Sequence, residues 1–259
     1  MKKYVVITGA SSGIGYEAAK RFAQRGKNII AVARTKEKLE KLKTEIAGAG
    51  NASAEVIIKV YDLTEKENIY ALYNSVKELD IETWINNAGF GDYCSVENQN
   101  LAKLEDMLKL NVEAVALFSA LYVRDFANKE NTQLINVSSV GGYTIVPSAV
   151  SYCATKFFAA SFTEGLSREL TGAGAKMQAK VFAPAATKTN FGNIANDITD
   201  YDYDKAFGTY HSCAQAVDFL MQLYESDKPL GIVNRETFEF SLSDYRFPYV
   251  QKPQTLQRV

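Results

Sequence analysis

The chain has little with which to do several common kinds of chemistry. A single histidine, His211, occurs in 259 residues. A hydrolase that needs a histidine base, or a metal site built from several histidines, would rest on that residue alone. Cysteines number three, Cys94, Cys153 and Cys213. Their odd count and the lack of CxxC or metal spacing exclude a disulfide framework, and they read as reduced thiols in a cytoplasmic protein. Formal net charge is only −1, so no global field draws the chain to nucleic acid or to an anionic membrane. No apolar run approaches the roughly 18 residues of a membrane span. The start, MKKYVVITGASSG, imitates a signal peptide, but its apolar run from Tyr4 to Ile7 is too short and dissolves into Gly and Ser. There is no linker rich in Pro, Gly or Ser, no repeat and no low-complexity tract. Residues 1–259 are therefore expected to form one domain.

What is present is alternation. Apolar residues make up 47% and charged residues 23%, an ordinary globular mix with enough apolar mass for a substantial core. Short β-branched runs fall at 4–8, 28–33, 54–60, 83–87, 133–139, 177–183 and 231–234. Several are apolar almost throughout, as strands covered on both faces must be. Segments such as GYEAAKRFAQRG and TKEKLEKLKTEIAGAG lie between them, with apolar residues at helical spacing and Gly at the ends. The fold class predicted is α/β: a single doubly wound parallel sheet of about seven strands, with helices on both faces. The least regular stretch, 184–208, follows a strand and is expected to be a substrate lid, because ligands of open α/β sheets bind beyond the strands' carboxyl ends. A C-terminal extension, 236–259, carries Phe238, Phe240, Tyr245, Phe247 and Tyr249. Residues 236–241 alternate polar and apolar, as a half-buried strand would.

The first strand runs into TGASSGIG, with Gly9, Ser11, Ser12, Gly13, Ile14 and Gly15. Glycines here allow a tight turn and close approach of backbone N–H groups to a pyrophosphate at a helix N-terminus. The alternative is a purely structural turn between strand and helix. The second strand ends in Ala33-Arg34, with no carboxylate until Glu37. An acidic residue at that point would take the ribose 2′-OH of NAD, whereas Arg34 can pair with a 2′-phosphate, so NADP(H) is expected over NAD(H). The alternative for Arg34 is a solvated helix-start residue. Asp62, followed by Leu63, sits after the third strand, where it can meet the adenine or cap the next helix.

In order and spacing, TGASSGIG (8–15), NNAG (86–89), Asn111, NVSSVGG (136–142), YCATK (152–156) and PAATKT (184–189) resemble the short-chain dehydrogenase/reductase family, over about residues 3–235. The resemblance implies one Rossmann-like domain and hydride transfer between NAD(P) and a carbonyl or alcohol. It implies that Asn87, Ala88 and Gly89 line the cofactor ribose, and that Pro184, Thr187 and Thr189 adjoin the nicotinamide. It further implies a catalytic Ser about 13 residues before a catalytic Tyr, which selects Ser139 and Tyr152, with Ser138 the competitor. Tyr-x-x-x-Lys occurs five times in the chain, and only Tyr152/Lys156 has Ser at that offset; the others have Lys3, Val60, Lys188 and His211. The family usually has Pro-Gly where this chain has Pro184-Ala185.

The chemistry wants these residue types. A free phenol titrates near 10, too high for an efficient acid–base group at neutral pH, and a Lys ammonium on the same helical face favours the phenolate. Ser139 can hold a carbonyl oxygen beside Tyr152. The resemblance gives Lys156 a grip on the nicotinamide ribose and Asn111 a proton-supplying water. It also implies a homodimer or homotetramer through helices at 101–128 and 151–172. A different class, a catalytically silent cofactor sensor or scaffold on the same fold, has no need of Asn111, Ser139, Tyr152 and Lys156 together. Cys153 reads as a small core residue and His211 as a surface or packing residue.

Overall fold

The β-branched runs become strands in the computed structural model, which describes residues 2–49 and 54–250. In chain order the elements are β1 (Lys3–Thr8), α1 (Gly13–Gln24), β2 (Asn28–Ala33), α2 (Lys36–Gly48), β3 (Val56–Val60), α3 (Lys66–Asn74) and β4 (Asp80–Asn86). They continue with α4 (Leu101–Leu108), α5 (Ala114–Phe126), β5 (Gln133–Val137), α6 (Val150–Gly172), β6 (Gln178–Ala183), α7 (Phe191–Asn196), α8 (Tyr203–Phe207), α9 (Cys213–Glu225), β7 (Leu230–Val233) and β8 (Phe240–Ser243). Strand order in the sheet is β3-β2-β1-β4-β5-β6-β7-β8. Pairings from β3 through β7 are parallel.

Both faces of the sheet are covered, and β1 shows how. Its Val5 and Ile7 pack with Ala18, Phe22, Leu39, Leu42, Val217 and Leu220 of α1, α2 and α9. Tyr4 and Val6 point to the other layer, built by α3, α5 and the end of α6 around the buried Trp84. A side chain every second residue on each face, apolar on both, is what a two-sided strand demands. The chain order reverses between β1 and β4. Loops there diverge beyond the strands' carboxyl ends and leave a crevice.

Three expectations need correction. The sheet has eight strands, not about seven, and β8 runs antiparallel to β7. The alternation at 236–241 marks no strand as a whole. Residues 235–237 form a turn in which the Asn234 side chain accepts from the amides of Glu236 at 2.8 Å and Thr237 at 3.1 Å, and Phe238 takes a φ of 58°. That reversal sends the chain back along β7. The 184–208 segment is irregular over part of its length only: it holds the short helices α7 and α8, tied by the Tyr203 hydroxyl accepting from Gly192 N at 3.1 Å. The expected helix at 101–128 is present from Leu101 to Phe126, as α4 and α5 joined without a break by a wide π-type turn, Lys109–Glu113. Residues 251–259 of the C-terminal extension lie outside the described residues.

Candidate active site

β1 delivers the glycine loop to β4. The Thr8 hydroxyl accepts from the amides of Asn87 and Ala88, each at 3.0 Å, and Asn87 Nδ2 donates to Thr8 O at 2.9 Å. This packing explains two glycines. Gly9 has φ +71°, and a Cβ there would lie 2.9 Å from Ala88 Cα; a Cβ on Gly15 would lie 2.5 Å from Gly9 O. Neither position admits a side chain without moving backbone. Ser12 precedes α1 in extended conformation, and its side chain makes no capping bond. The first amides of α1 thus open toward a cavity of about 810 Å³ that Ser11, Gly13 and Ile14 help to line. Open N–H groups at the positive end of a helix fit a pyrophosphate.

The far end of the cavity holds Arg34, Asp62 and Leu63. An Arg34 guanidinium nitrogen lies 3.7 Å from an Asp62 carboxylate oxygen, with the Arg34 side chain 69% exposed. Burial opposes ionisation of Asp62, but two hydrogen bonds from Thr64 and the nearby guanidinium outweigh it and hold the carboxyl below the usual range. Asp62 does not cap α3. The N-cap position belongs to Glu65, and Asp62 Oδ1 instead accepts from Thr64 N at 3.0 Å and Thr64 Oγ1 at 2.8 Å.

On the cavity wall, the end of β5 and α6 bring Ser139, Tyr152 and Lys156 together. Tyr152 sits in the first turn of α6 and Lys156 one turn on, its Nζ 5.8 Å from the Tyr152 ring centroid. The ammonium donates to Val137 O at 3.0 Å. Ser139 accepts from Gly141 N at 3.1 Å. A Cβ on Gly141 would lie 3.5 Å from Ser139 Oγ and 3.7 Å from Tyr152 Cε1, so both side chains crowd the same glycine. Ser138 is turned away: its hydroxyl is buried and donates to Lys156 O at 2.8 Å. Burial pushes the Tyr152 phenol well up, with the Ser139 hydroxyl acting the other way. Burial also pushes the Lys156 ammonium down to about 8. The expected downward tuning of the phenol by Lys156 is therefore not the dominant effect. Burial holds the phenol neutral, the state of a proton donor.

Asn111 lies on the π-type turn, behind the cavity wall. Its Nδ2 donates to Phe90 O at 2.8 Å and Thr155 Oγ1 at 3.1 Å, and its Oδ1 accepts from Phe90 N at 3.2 Å. It joins the 86–90 segment to α6. It also backs Gly89, where a Cβ would lie 2.8 Å from Asn111 Oδ1 and 3.4 Å from Lys156 Nζ.

The loop after β6 closes the other side. Pro184 O accepts from Val140 N at 3.0 Å, and the Thr189 methyl lies 3.1 Å from where a Gly13 Cβ would be. Thr187 pairs with His211 in an isolated bridge. Ala185 is not among the residues of positive φ, so the missing glycine costs this loop nothing. His211 is a packing residue, buried edge-on against Phe219 at 5.0 Å and tilted against Phe238 at 5.8 Å. Cys153 is buried with its sulfur accepting from Val146 N at 3.4 Å.

Sequence reading missed the aromatic wall. Tyr93, Phe191, Tyr201, Tyr203, Phe207 and Phe238 all line the cavity around Tyr152. The aromatic density of 184–208 was the available signal. Tyr93, four residues after NNAG, carried none. Among the described residues no group of three or more His, Cys, Asp and Glu is placed to hold a metal, and no helix is long and apolar enough to cross a membrane.

Known proteins resemble this chain in sequence and fold. The sequence profile of the family described as short chain dehydrogenase matches residues 3–198. "Dehydrogenase/reductase SDR family member 11" of Gallus gallus is 31% identical over 224 residues, 83% of this chain and 86% of that protein. Among solved structures, "Short-chain dehydrogenase from Sphingobium yanoikuyae in complex with NADPH" is similar at 28% identity with a TM-score of 0.80, covering 89% of this chain and 87% of that one. The "bulky-bulky ketone specific alcohol dehydrogenase from Comamonas testosteroni" is similar at 26% identity with a TM-score of 0.75, covering 88% and 85%.

Proposed function

The chain belongs to the short-chain dehydrogenase family, and from that premise we propose that it is an NADP(H)-preferring oxidoreductase acting on a carbonyl or secondary alcohol, with Tyr152 as general acid and base. The observation that carries the reading is the meeting of Ser139, Tyr152 and Lys156 on the wall of a cavity that also takes in the open N-terminus of α1. Gly9, Ser11, Ser12, Gly13, Ile14 and Gly15 would hold the pyrophosphate, and Asp62 and Leu63 the adenine. Asn87, Ala88, Gly89 and Lys156 would hold the nicotinamide ribose, and Pro184, Thr187 and Thr189 the carboxamide. When bound, the dinucleotide supplies or accepts a hydride at the carbonyl carbon. Ser139 donates a hydrogen bond to the carbonyl oxygen and fixes it beside Tyr152. Tyr152, neutral through burial, gives its proton to that oxygen as negative charge develops. Lys156 stabilises the phenolate left behind, and Asn111 positions the 86–90 segment and α6.

Changing Tyr152 to Phe tests this directly. NADPH oxidation with a ketone substrate is expected to fall by about 10²–10⁴-fold with the fold intact, and near-normal turnover would sink the assignment. Arg34 and the serines of the first loop support the cofactor preference, and the NADPH complex of the Sphingobium protein agrees with it. NADPH is expected to bind wild type tighter than NADH, and Arg34→Ala to narrow the difference about tenfold by titration calorimetry. We also read the chain as a cytoplasmic homodimer or homotetramer. The three free thiols fit that compartment. The half-buried, stacked Phe158 and Phe162 of α6, with exposed Leu101, Leu108 and Val150, fit such an interface. Light scattering that gives a monomer mass would remove it.

A further inference from the structure

Much of the cavity wall near Tyr152 is apolar. Phe90, Val146, Phe191, Ile194 and Phe238 present carbon, and Tyr93 presents a phenol. Its ring stands edge-on to Tyr152 at 6.0 Å and to Phe191 at 6.2 Å, so it faces the same space as the reacting oxygen. Of the other aromatic residues near the lid, Tyr203 accepts from Gly192 N, Tyr210 donates to Asp204, and Tyr201 packs against Tyr203 and Phe207, whereas Tyr93 packs against Tyr152. Among the described residues, the Tyr93 hydroxyl makes no hydrogen bond.

Tyr93 is also held in place. Its amide donates to Ala195 O of α7 at 2.8 Å. The neighbouring Asp92 is buried and lies 3.0 Å from Lys103 Nζ, which also reaches Asp197 at 2.8 Å and donates to Ile194 O at 2.9 Å. Gln99 donates to Asp92 at 3.3 Å and accepts from Ser151, the residue before Tyr152, at 2.7 Å. Floor loop, lid and catalytic helix are thereby joined around one phenol. A hydroxyl fixed in a carbon wall and covered by a wholly apolar ligand would lose its water and gain no partner.

We propose that Tyr93 is a specificity-determining residue that donates a hydrogen bond to a second oxygen of the substrate, which makes the substrate class a carbonyl compound with an aromatic or other bulky apolar body and a further oxygen close to the reacting one. The proposal rests on the reading of Tyr152 given above. The aromatic wall takes the apolar body by offset and edge contacts, and the Tyr93 phenol selects for the second oxygen because a substrate lacking it leaves the phenol unpaired.

The test uses two ketones on one carbon skeleton, benzil with adjacent carbonyls and deoxybenzoin with one, reduced by NADPH with wild type and Tyr93→Phe. Intrinsic reactivity cancels in the ratio of variant to wild type. The kcat/KM for benzil is expected to fall about tenfold in the variant and that for deoxybenzoin to stay within about twofold. An equal fall for both would make Tyr93 a packing residue and overturn the proposal, as would no fall for either. Wild type that reduces small aliphatic ketones but neither diphenyl ketone overturns the substrate class while leaving Tyr152 its role. Wild type that reduces no carbonyl at all overturns the reading of Tyr152 first.

Discussion

Lys156 and Lys180 are both buried, at 6% and 1% exposure, one on α6 and the other on β6. Burial pushes each ammonium down to about 8. They differ in what happens to their three N–H bonds. Lys180 donates to Leu223 O at 3.1 Å, Tyr224 O at 3.2 Å and Ser226 O at 2.5 Å, and so spends its donors on the carbonyl end of α9. Lys156 donates to Val137 O alone, and the rest of its ammonium faces the cavity. A depressed lysine is thus not by itself the mark of a functional site. An unsatisfied donor aimed into a cavity is closer to one.

The difference can be pressed hardest at Lys156. Lys156→Met is expected to lower NADPH-dependent turnover by about 10²-fold or more, with a circular-dichroism melt within a few degrees of wild type. Lys180→Met should do the reverse. Three helix-end carbonyls lose their donor, so urea unfolding is expected to show a loss of about 1–3 kcal/mol, with kcat/KM per folded molecule unchanged within about twofold. The pH dependence sharpens the pair. Each lysine titrates near 8 when folded against a reference of 10.5, so across that window the unfolded chain binds more protons and stability rises with pH. Below that window the cost of a buried ammonium is fully present. Above the reference value of 10.0, tyrosines whose pKa burial raises, Tyr122 and Tyr152, reverse the trend. The melting temperature should therefore climb between about pH 8 and 10, and Lys180→Met should flatten part of that climb. The smallest effect lies in the adjacent serines. Ser138→Ala removes the bond to Lys156 O and is expected to cost about 1 kcal/mol in unfolding with little change in rate. Ser139→Ala should do the opposite.

Much of the site was visible in the chain as text, and for a local reason. A glycine turn, a Tyr and Lys one helical turn apart and a Ser at a strand end are set by neighbours in sequence, and a parallel sheet brings such strand ends to one edge. What could not be read depended on distant partners. Lys180 sits in QAKVFA as any alternating strand residue would, and the carbonyls that receive it come from more than forty residues later. Asn111 reads as a site residue, yet the π-type turn seats its amide between Phe90 and Thr155, behind the wall. Tyr93 has no motif around it, and only the fold sets it against Tyr152, with α7 and Lys103 pinning its loop.

By itself, the sequence determined the alternation of strand and helix, the glycine loop and the spacing of Ser139, Tyr152 and Lys156. Those features follow from backbone conformation and from hydrophobic periodicity over a few residues. Tertiary structure alone decided that β8 turns back antiparallel, that the 184–208 segment holds α7 and α8, and which buried lysine keeps free donors. It also decided that the Tyr93 ring stands against Tyr152. The reason is that hydrogen-bond saturation and desolvation belong to a place in space, and that place is assembled from segments far apart in the chain.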